Sequence, residues 1–424
     1  MRMREFLVPD GDRWILLCWL LLCLSSLAVL WSVTEPIRGP YLDLDPGVVK
    51  SVFYRQVVWV LVGLMALLVA ARIRLRTLEN LAVPTMLALV ALLTLLLVLG
   101  PSISGSRRWF LLGPIRMQPA EFAKITFILA VARILGGNQD QGPRPMLVIG
   151  TLGLMLVHVF LVMREPDLGT SLVFLAVWIG MVFWYGVPGI LLLGAGSAAL
   201  SAVIMFISES VLSRQPWPWG LYLLLLIGIL YLVPIGIPAR IFMLLINVAS
   251  GLGIPFLWEK LRGYQQERIL TFFDPMRDQF GSGYQAIQSK VAIGSGGVFG
   301  THYLQGTQKG LAFLPERHTD FIFSVVGEEL GLVGCVFLLM LFLVIIMRGI
   351  TIAGAARRSF WRYAAVGIVA YFTFHVFVNV SITTGLLPVT GLPLPGLSYG
   401  GSNMVTSSFL LGVLLNISSR TFDT

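Results

Sequence analysis

The chain has 424 residues, 57% of them hydrophobic and only 12% charged, with a mean hydropathy of +0.85. Soluble domains run at about a quarter charged, so this balance excludes an ordinary soluble enzyme and indicates a membrane protein. The net charge of +9 does not mark a nucleic-acid binder, because no long basic run with interleaved aromatics occurs; in membrane proteins excess Lys and Arg sit in cytoplasmic loops or on anionic headgroups.

The basic start "MRMREFLVPDGDR" precedes an apolar run long enough to span a bilayer. A cleaved leader has a shorter core and a small-residue cleavage site, for which "LSSLAVLWS" is a weak match, so a retained first helix is expected. Spanning helices are predicted near 13–33, 56–71, 80–99, 119–136, 146–163, 168–186, 188–209, 219–236, 240–258, 321–347, 363–387 and 402–418, twelve in all. Cys18, Cys23 and Cys335 lie inside apolar runs and read as small buried hydrophobes. Neither HExxH nor a Walker A sequence occurs, and His158 and His375 are assigned to packing within the bundle.

Arginines set the expected orientation. Arg2, Arg4 and Arg13, then Arg72, Arg74 and Arg76, then Arg348, Arg357, Arg358 and Arg362 all fall on one side of twelve spans. That side is predicted to be cytoplasmic, with both termini, and the loop 259–320 then faces outward. Outward cations run against this rule and need a reason. They comprise Arg107, Arg108 and Arg116 in one loop and Lys260, Arg262, Arg268, Arg277, Lys290, Lys309 and Arg317 in the other. Binding of an anionic ligand is one reason; a headgroup anchor is the plainer one.

Four polar stretches carry the candidate chemistry. In "QPAEFAK", Pro119 suits a helix start and Glu121 and Lys124 share a face, either as a structural ion pair or as a site wall. "REPDLGTS" reads as a tight turn whose Arg164, Glu165 and Asp167 form a charge network. The loop 259–320 combines glycines at 281, 283, 294, 296, 297 and 300 with dense polar residues, and matches no nucleotide fingerprint. "LPVTGLPLPGLSYGGSN" is irregular backbone, tolerated at membrane depth where it packs in protein or lines a cavity. Glu328 and Glu329 are expected to hydrogen-bond within the bundle.

The runs "LPERHTDFIFSVVGEELGLVG", "GYQAIQSKVAIGSGGVFG", "GTQ", "QPAEFAK", "PDLGTSL" and "LPLPGLSYGGS" resemble, in order and over most of the chain, the SEDS family of bacterial peptidoglycan polymerases. "LPERHTDFIF" is more similar to RodA than to FtsW, whose members usually have Ala where this chain has Arg317. The resemblance implies an all-α polytopic bundle, a single transmembrane domain over 1–424, with ten family helices plus an inserted helical hairpin near 212–256. It also implies polymerisation of lipid II with release of undecaprenyl pyrophosphate, and a class B penicillin-binding protein as partner.

The family's essential aspartate maps onto Asp278, by its distance from the Gly-Ser-Gly-Tyr turn. A carboxylate near low-dielectric surroundings suits a general base for the acceptor sugar hydroxyl, and cations stabilise the departing pyrophosphate. Arg107, Arg108, Arg116, Lys124, Arg268 and Lys290 are candidates for that task, and the quoted motifs add Glu121, His318, Thr319, Asp320 and Ser398 as substrate-binding candidates. No metal cage is visible, although a divalent cation bridging Asp278 to pyrophosphate fits the chemistry. Gln279 departs from the proline usual after the aspartate. Two rival classes are a lipid II flippase, suited by charged residues within spans, and an inactive scaffold for another synthase. Asp278→Asn is predicted to fold normally and to lose polymerisation; a fully active variant removes the assignment.

Overall fold

A computed structural model of the protein describes residues 12–34, 46–101, 107–113, 115–137, 144–210, 215–260, 263–274, 282–306 and 318–421. The chain forms two compact units, one of Met1–Tyr185 with Thr271–Thr424 and one of Gly186–Leu270.

The first unit is a bundle of long helices: α1 (Arg13–Thr34), α2 (Pro46–Arg72), α3 (Leu75–Leu99), α4 (Pro119–Gly136), α5 (Pro145–Arg164) and α6 (Leu168–Tyr185). The chain returns to it with α12 (Ile322–Ala355), α13 (Ser359–Thr383) and α14 (Gly401–Thr421). Lipid offers no partner to a backbone N–H or C=O, so each apolar run closes its own hydrogen bonds as a helix. Short connections make successive helices run antiparallel, which collects the turns at two ends. At one end Arg348 Nε meets Asp12 Oδ2 at 2.5 Å, Arg133 Nη1 lies 3.7 Å from Glu79 Oε1, and Asn416 Nδ2 donates to the carbonyls of Ala70 and Ile73. The other end holds the α5–α6 turn, the start of α14 and a short hairpin of β1 (Phe110–Leu112) and β2 (Ile115–Met117), which turns at Gly113 with φ 63°.

Every expected span falls on a helix. Among the described residues nine helices are both long and apolar enough to cross a membrane, and the protein is an integral membrane protein. Three of the twelve expected spans fall outside that count for physical reasons. The α4 helix carries Glu121, Lys124 and Arg133, and α14 is studded with Ser402, Asn403, Thr406, Ser407 and Ser408. The third, α8 (Trp217–Leu232), has only 16 residues.

The stretch expected as one long loop, 259–320, contains two helices, α10 (Gly263–Phe273) and α11 (Ser282–Gly296). The turn after α11 repairs a break in α12. Gly331 interrupts that helix with φ 65° and ψ −161°, and the freed N–H groups of Leu332 and Val333 donate to Gly297 O (3.0 Å) and Val298 O (3.2 Å). In return Thr301 N donates to Glu328 O at 2.9 Å. The approach is possible because Gly300 and Gly331 lack Cβ atoms: one on Gly300 would collide with Glu329 O, one on Gly331 with Gly300 N. Just before the break, Ser32 Oγ donates to the Glu329 carboxylate, with its oxygens at 2.6 and 2.7 Å.

In the second unit α7 (Gly189–Ser210), α8 and α9 (Ile237–Lys260) pack together around a polar ladder, and segment 212–256 contains α8 and most of α9. Asn247 Nδ2 donates to Ser197 Oγ and Met243 O, Ser201 Oγ donates to Asn247 O, and Trp219 Nε1 donates to Ser201 Oγ. Polar side chains inside an apolar three-helix unit are thereby satisfied.

The Gly300–Gly331 contact yields a stability prediction. Gly300→Val and Gly331→Ala are each expected to cost more than ~2 kcal/mol, since a left-handed residue alone costs about 1–2 kcal/mol before any collision. Gly294→Ala, on α11 with open space around its Cβ, is expected to be neutral or stabilising. Thermal unfolding in detergent separates the two outcomes.

Candidate active site

Two motif segments far apart in sequence are laced together at the end of the bundle that holds the hairpin. Tyr399 N donates to His318 O at 2.8 Å, and the two side-chain rings lie 5.8 Å apart. Ser398 Oγ donates to Thr319 O at 2.7 Å and accepts from Leu394 N at 2.8 Å. Asn379, from the last turns of α13, donates to Asp320 O (3.0 Å) and Leu392 O (2.8 Å) at once. From below, Gln56 Nε2 reaches Ser26 Oγ (3.2 Å) and Ser398 O (3.4 Å). These bonds meet the need of irregular backbone for partners where no water or ladder supplies them. His318, Thr319 and Asp320 are each engaged here through their main-chain carbonyls, so these bonds hold the shape of the loop.

Beneath that surface lies a buried charge network. Lys124 Nζ sits 2.7 Å from Glu121 Oε1, with the two residues 1% and 3% exposed. Asn403 Nδ2 donates to Glu121 Oε2 at 3.2 Å, and Lys124 Nζ lies 3.5 Å from His375 Nε2. The Tyr371 hydroxyl lies 3.3 Å from Asn403 Nδ2 and 2.8 Å from Ser407 Oγ. Proline at N1 starts α4, and the three-residue spacing then turns Glu121 and Lys124 to the same interior face. A buried ion pair survives only when its remaining lone pairs and protons find partners, which α13 and α14 supply here.

The segment from Arg107 to Gln118 carries positive charge along the edge. Arg107 Nη1 donates to Leu97 O and Val98 O at the end of α3, and Arg116 is exposed on β2 opposite Leu111. Arg108 turns inward: its Nε donates to Glu165 O at 2.7 Å and its Nη2 to Pro166 O. Gln118 ties this arm to the bundle, donating through Nε2 to Asp167 Oδ2 (3.1 Å) and through its backbone N–H to Ser402 Oγ (3.2 Å). Asp167 in turn caps α6, accepting from Thr170 N at 3.1 Å and Thr170 Oγ1 at 3.0 Å.

The charge network expected within "REPDLGTS" is therefore not the one observed. Arg164 points outward with its guanidinium over the Phe160 ring at 5.9 Å, and the arginine that reaches the turn is Arg108, 57 residues earlier. Glu165 is fully buried; its carboxyl is pushed up to about 8, first by burial, then by Asp167, with Arg108 opposing both.

Lys290 is exposed on α11, and its stem lies against Gly385, where a Cβ would collide with Lys290 Cε. Arg268 falls on α10, within Gly186–Leu270. Asp278, Arg277 and Gln279 lie outside the described residues. Among the described residues no group of three or more His, Cys, Asp or Glu is placed to hold a metal ion. Sequence reasoning included Gln118 and Asn403 in two of its polar stretches without giving either a role, and missed Asn379 and Tyr371; together these four do much of the joining. The signal of Asn379 and Tyr371 was present as a lone amide and a lone hydroxyl within the apolar run of α13, which is where partners are hardest to assign.

A family model described as cell cycle protein, covering FtsW, RodA and SpoVE, matches residues 12–216 and 219–422. The chain belongs to the FtsW/RodA/SpoVE family. Among relatives of this family member, the Escherichia coli peptidoglycan glycosyltransferase MrdB is 36% identical over 408 residues, covering 96% of this chain and 93% of its own. A probable peptidoglycan glycosyltransferase FtsW from Trichlorobacter lovleyi is 35% identical over 370 residues, covering 86% and 83%. One similar solved chain comes from work on the structural coordination of polymerization and crosslinking by a peptidoglycan synthase complex; its TM-score is 0.66 at 29% identity, over 98% of this chain and 99% of that one. Thermus thermophilus RodA gives a TM-score of 0.61 at 26% identity, over 98% of each chain.

Ser398→Ala is expected to leave the buried Leu394 N–H without its acceptor, a loss of about 1–3 kcal/mol. A lower melting temperature in detergent checks it, with Ser398→Thr retaining more stability than Ser398→Ala.

Proposed function

We propose that the protein is a peptidoglycan glycosyltransferase of the RodA type, polymerising lipid II into glycan strands during cell elongation and shape maintenance. The observation that carries this reading is the meeting, at one end of an apolar bundle, of a cationic arm with the polar segments 318–320 and 390–403, in a chain whose relatives are named peptidoglycan glycosyltransferases. A lipid-linked substrate needs this combination: a lipid-facing apolar body for its polyprenyl tail, and a polar, positively charged edge for its pyrophosphate and sugars.

In the proposed reaction Asp278 takes the proton of the acceptor sugar hydroxyl. The oxygen attacks the anomeric carbon of the donor, the bond to pyrophosphate breaks, and the anomeric centre inverts. Undecaprenyl pyrophosphate departs with the bonding electrons, its charge met by cations drawn from Arg107, Arg116, Lys124 and Lys290. Of these Lys124 is already paired with Glu121, so its charge acts at a distance, whereas Arg107, Arg116 and Lys290 are exposed. Glu121 sets the position of Lys124, while His318, Thr319, Asp320 and Ser398 shape the wall of the site.

We assign the hairpin end to the outer face of the bacterial cytoplasmic membrane, with both termini on the inner face. Arg72, Arg74, Arg76, Arg357, Arg358, Arg362 and Arg420 at the opposite end support that orientation. A class B penicillin-binding protein is the proposed partner, its membrane helix packed on the bundle and its outer domain crosslinking the new strand.

Purified protein supplied with lipid II is expected to make glycan chains. Transfer of lipid II across a vesicle membrane without polymer is the result that replaces the polymerase with a flippase.

A further inference from the structure

The turn between α5 and α6 holds a carboxyl group that the proposed reaction leaves unused. Glu165 is fully buried, and neither Oε1 nor Oε2 has a hydrogen-bond partner among the described residues. A buried carboxylate in that condition is among the costliest groups a protein can hold, and the usual escape is to keep a proton.

Two charges face Glu165. Asp167 lies two residues along the same turn and repels negative charge; Arg108, from the arm before α4, attracts it. Both are committed elsewhere. Asp167 takes bonds from Gln118 and Thr170, and Arg108 spends Nε and Nη2 on the carbonyls of Glu165 and Pro166. Arg164, the adjacent cation, is exposed over Phe160. The carboxyl's pKa, raised from 4.5 to about 8, means the proton is held across neutral pH and released as pH rises through about 8.

We propose that Glu165 is a positioning residue that works as a neutral acid and keeps Arg108 on the two turn carbonyls, so that the arm from Arg107 to Gln118 stays seated against the bundle. Loss of the proton to solvent makes a carboxylate beside the guanidinium. Arg108 then re-pairs with the carboxylate, releases the carbonyls and loosens the arm. No other bond is made or broken. The consequence for catalysis rests on the reading of that arm as part of a polymerase site.

The arm has a convenient reporter position in Leu111, exposed on β1, and the native cysteines Cys18, Cys23 and Cys335 are all buried, so a spin label on Leu111→Cys is specific. Infrared difference spectra of wild type against Glu165→Gln are expected to show a protonated carboxyl at neutral pH that disappears as pH passes about 8. Label mobility is expected to rise over the same interval in wild type and to stay constant in Glu165→Gln. Glu165→Ala, which carries no charge to draw Arg108 off the backbone carbonyls, is expected to keep the label as immobile and as insensitive to pH as Glu165→Gln does. A carboxylate band at neutral pH overturns the proposal, as does label mobility that follows pH identically in wild type and Glu165→Gln. Polymerisation, measured in parallel, is expected to fall when the arm loosens. Absence of polymer from wild type at every pH refutes the polymerase reading, while the two spectroscopic results still decide the role of Glu165.

Discussion

The pairing of Lys124 with Glu121 inside an apolar bundle is the contact on which the rest of the site depends. Removing both charges from water carries a desolvation cost of several kcal/mol per ion, recovered only if geometry and secondary hydrogen bonds are good. Here those bonds come from Asn403 on α14 and the neighbouring Tyr371 and His375 on α13, so satisfying one pair fixes the mutual positions of three helices. One turn above, Gln118 joins the same α4 to Ser402 and Asp167, which carries the alignment to the polar edge. The loops that shape the proposed site thus stand on a base whose geometry is set by electrostatics instead of by apolar packing alone.

The same need of buried polar groups for partners explains the irregular backbone. Where α12 breaks at Gly331, the turn 297–301 supplies the missing acceptors and in exchange donates the Thr301 N–H to Glu328 O. Where the chain wanders through 390–400, Asn379 and Ser26 donate to the carbonyls of Leu392 and Leu397, while Ser398 and Gln56 accept from the N–H groups of Leu394 and Gly400. Glycine marks these places for a steric reason. At Gly396, with φ 74°, a Cβ would sit 2.5 Å from the Trp19 ring, whose full burial anchors α1. Glu165 is the exception among the described carboxyls, and such an exception in a membrane protein draws attention to its proton.

Much of this was legible in the residues. Hydropathy located every long helix, the spacing of Glu121 and Lys124 put them on one face, and the Pro/Gly run 387–403 announced irregular backbone. What failed did so for identifiable reasons. The helices α10 and α11 are short, polar and rich in glycine near their ends, so neither apolar periodicity nor length distinguished them from a loop. Arg108 was read as a free outward cation because its acceptors are main-chain carbonyls 57 and 58 residues away, and carbonyls leave no mark in a sequence. Asn379 and Tyr371 were passed over because a lone polar residue in an apolar run gives no hint of which helix it faces.

The dependence of the site on the buried pair is tested most directly by a double-mutant cycle on Glu121→Gln and Lys124→Met, with thermal unfolding and lipid II polymerisation measured for all four proteins. Each single change strands a buried group, so each is predicted to cost about 3–5 kcal/mol and to suppress polymerisation. The double variant is predicted to lose distinctly less stability than the sum of the two. Strict additivity, or single variants with wild-type stability and polymerisation, would contradict the account.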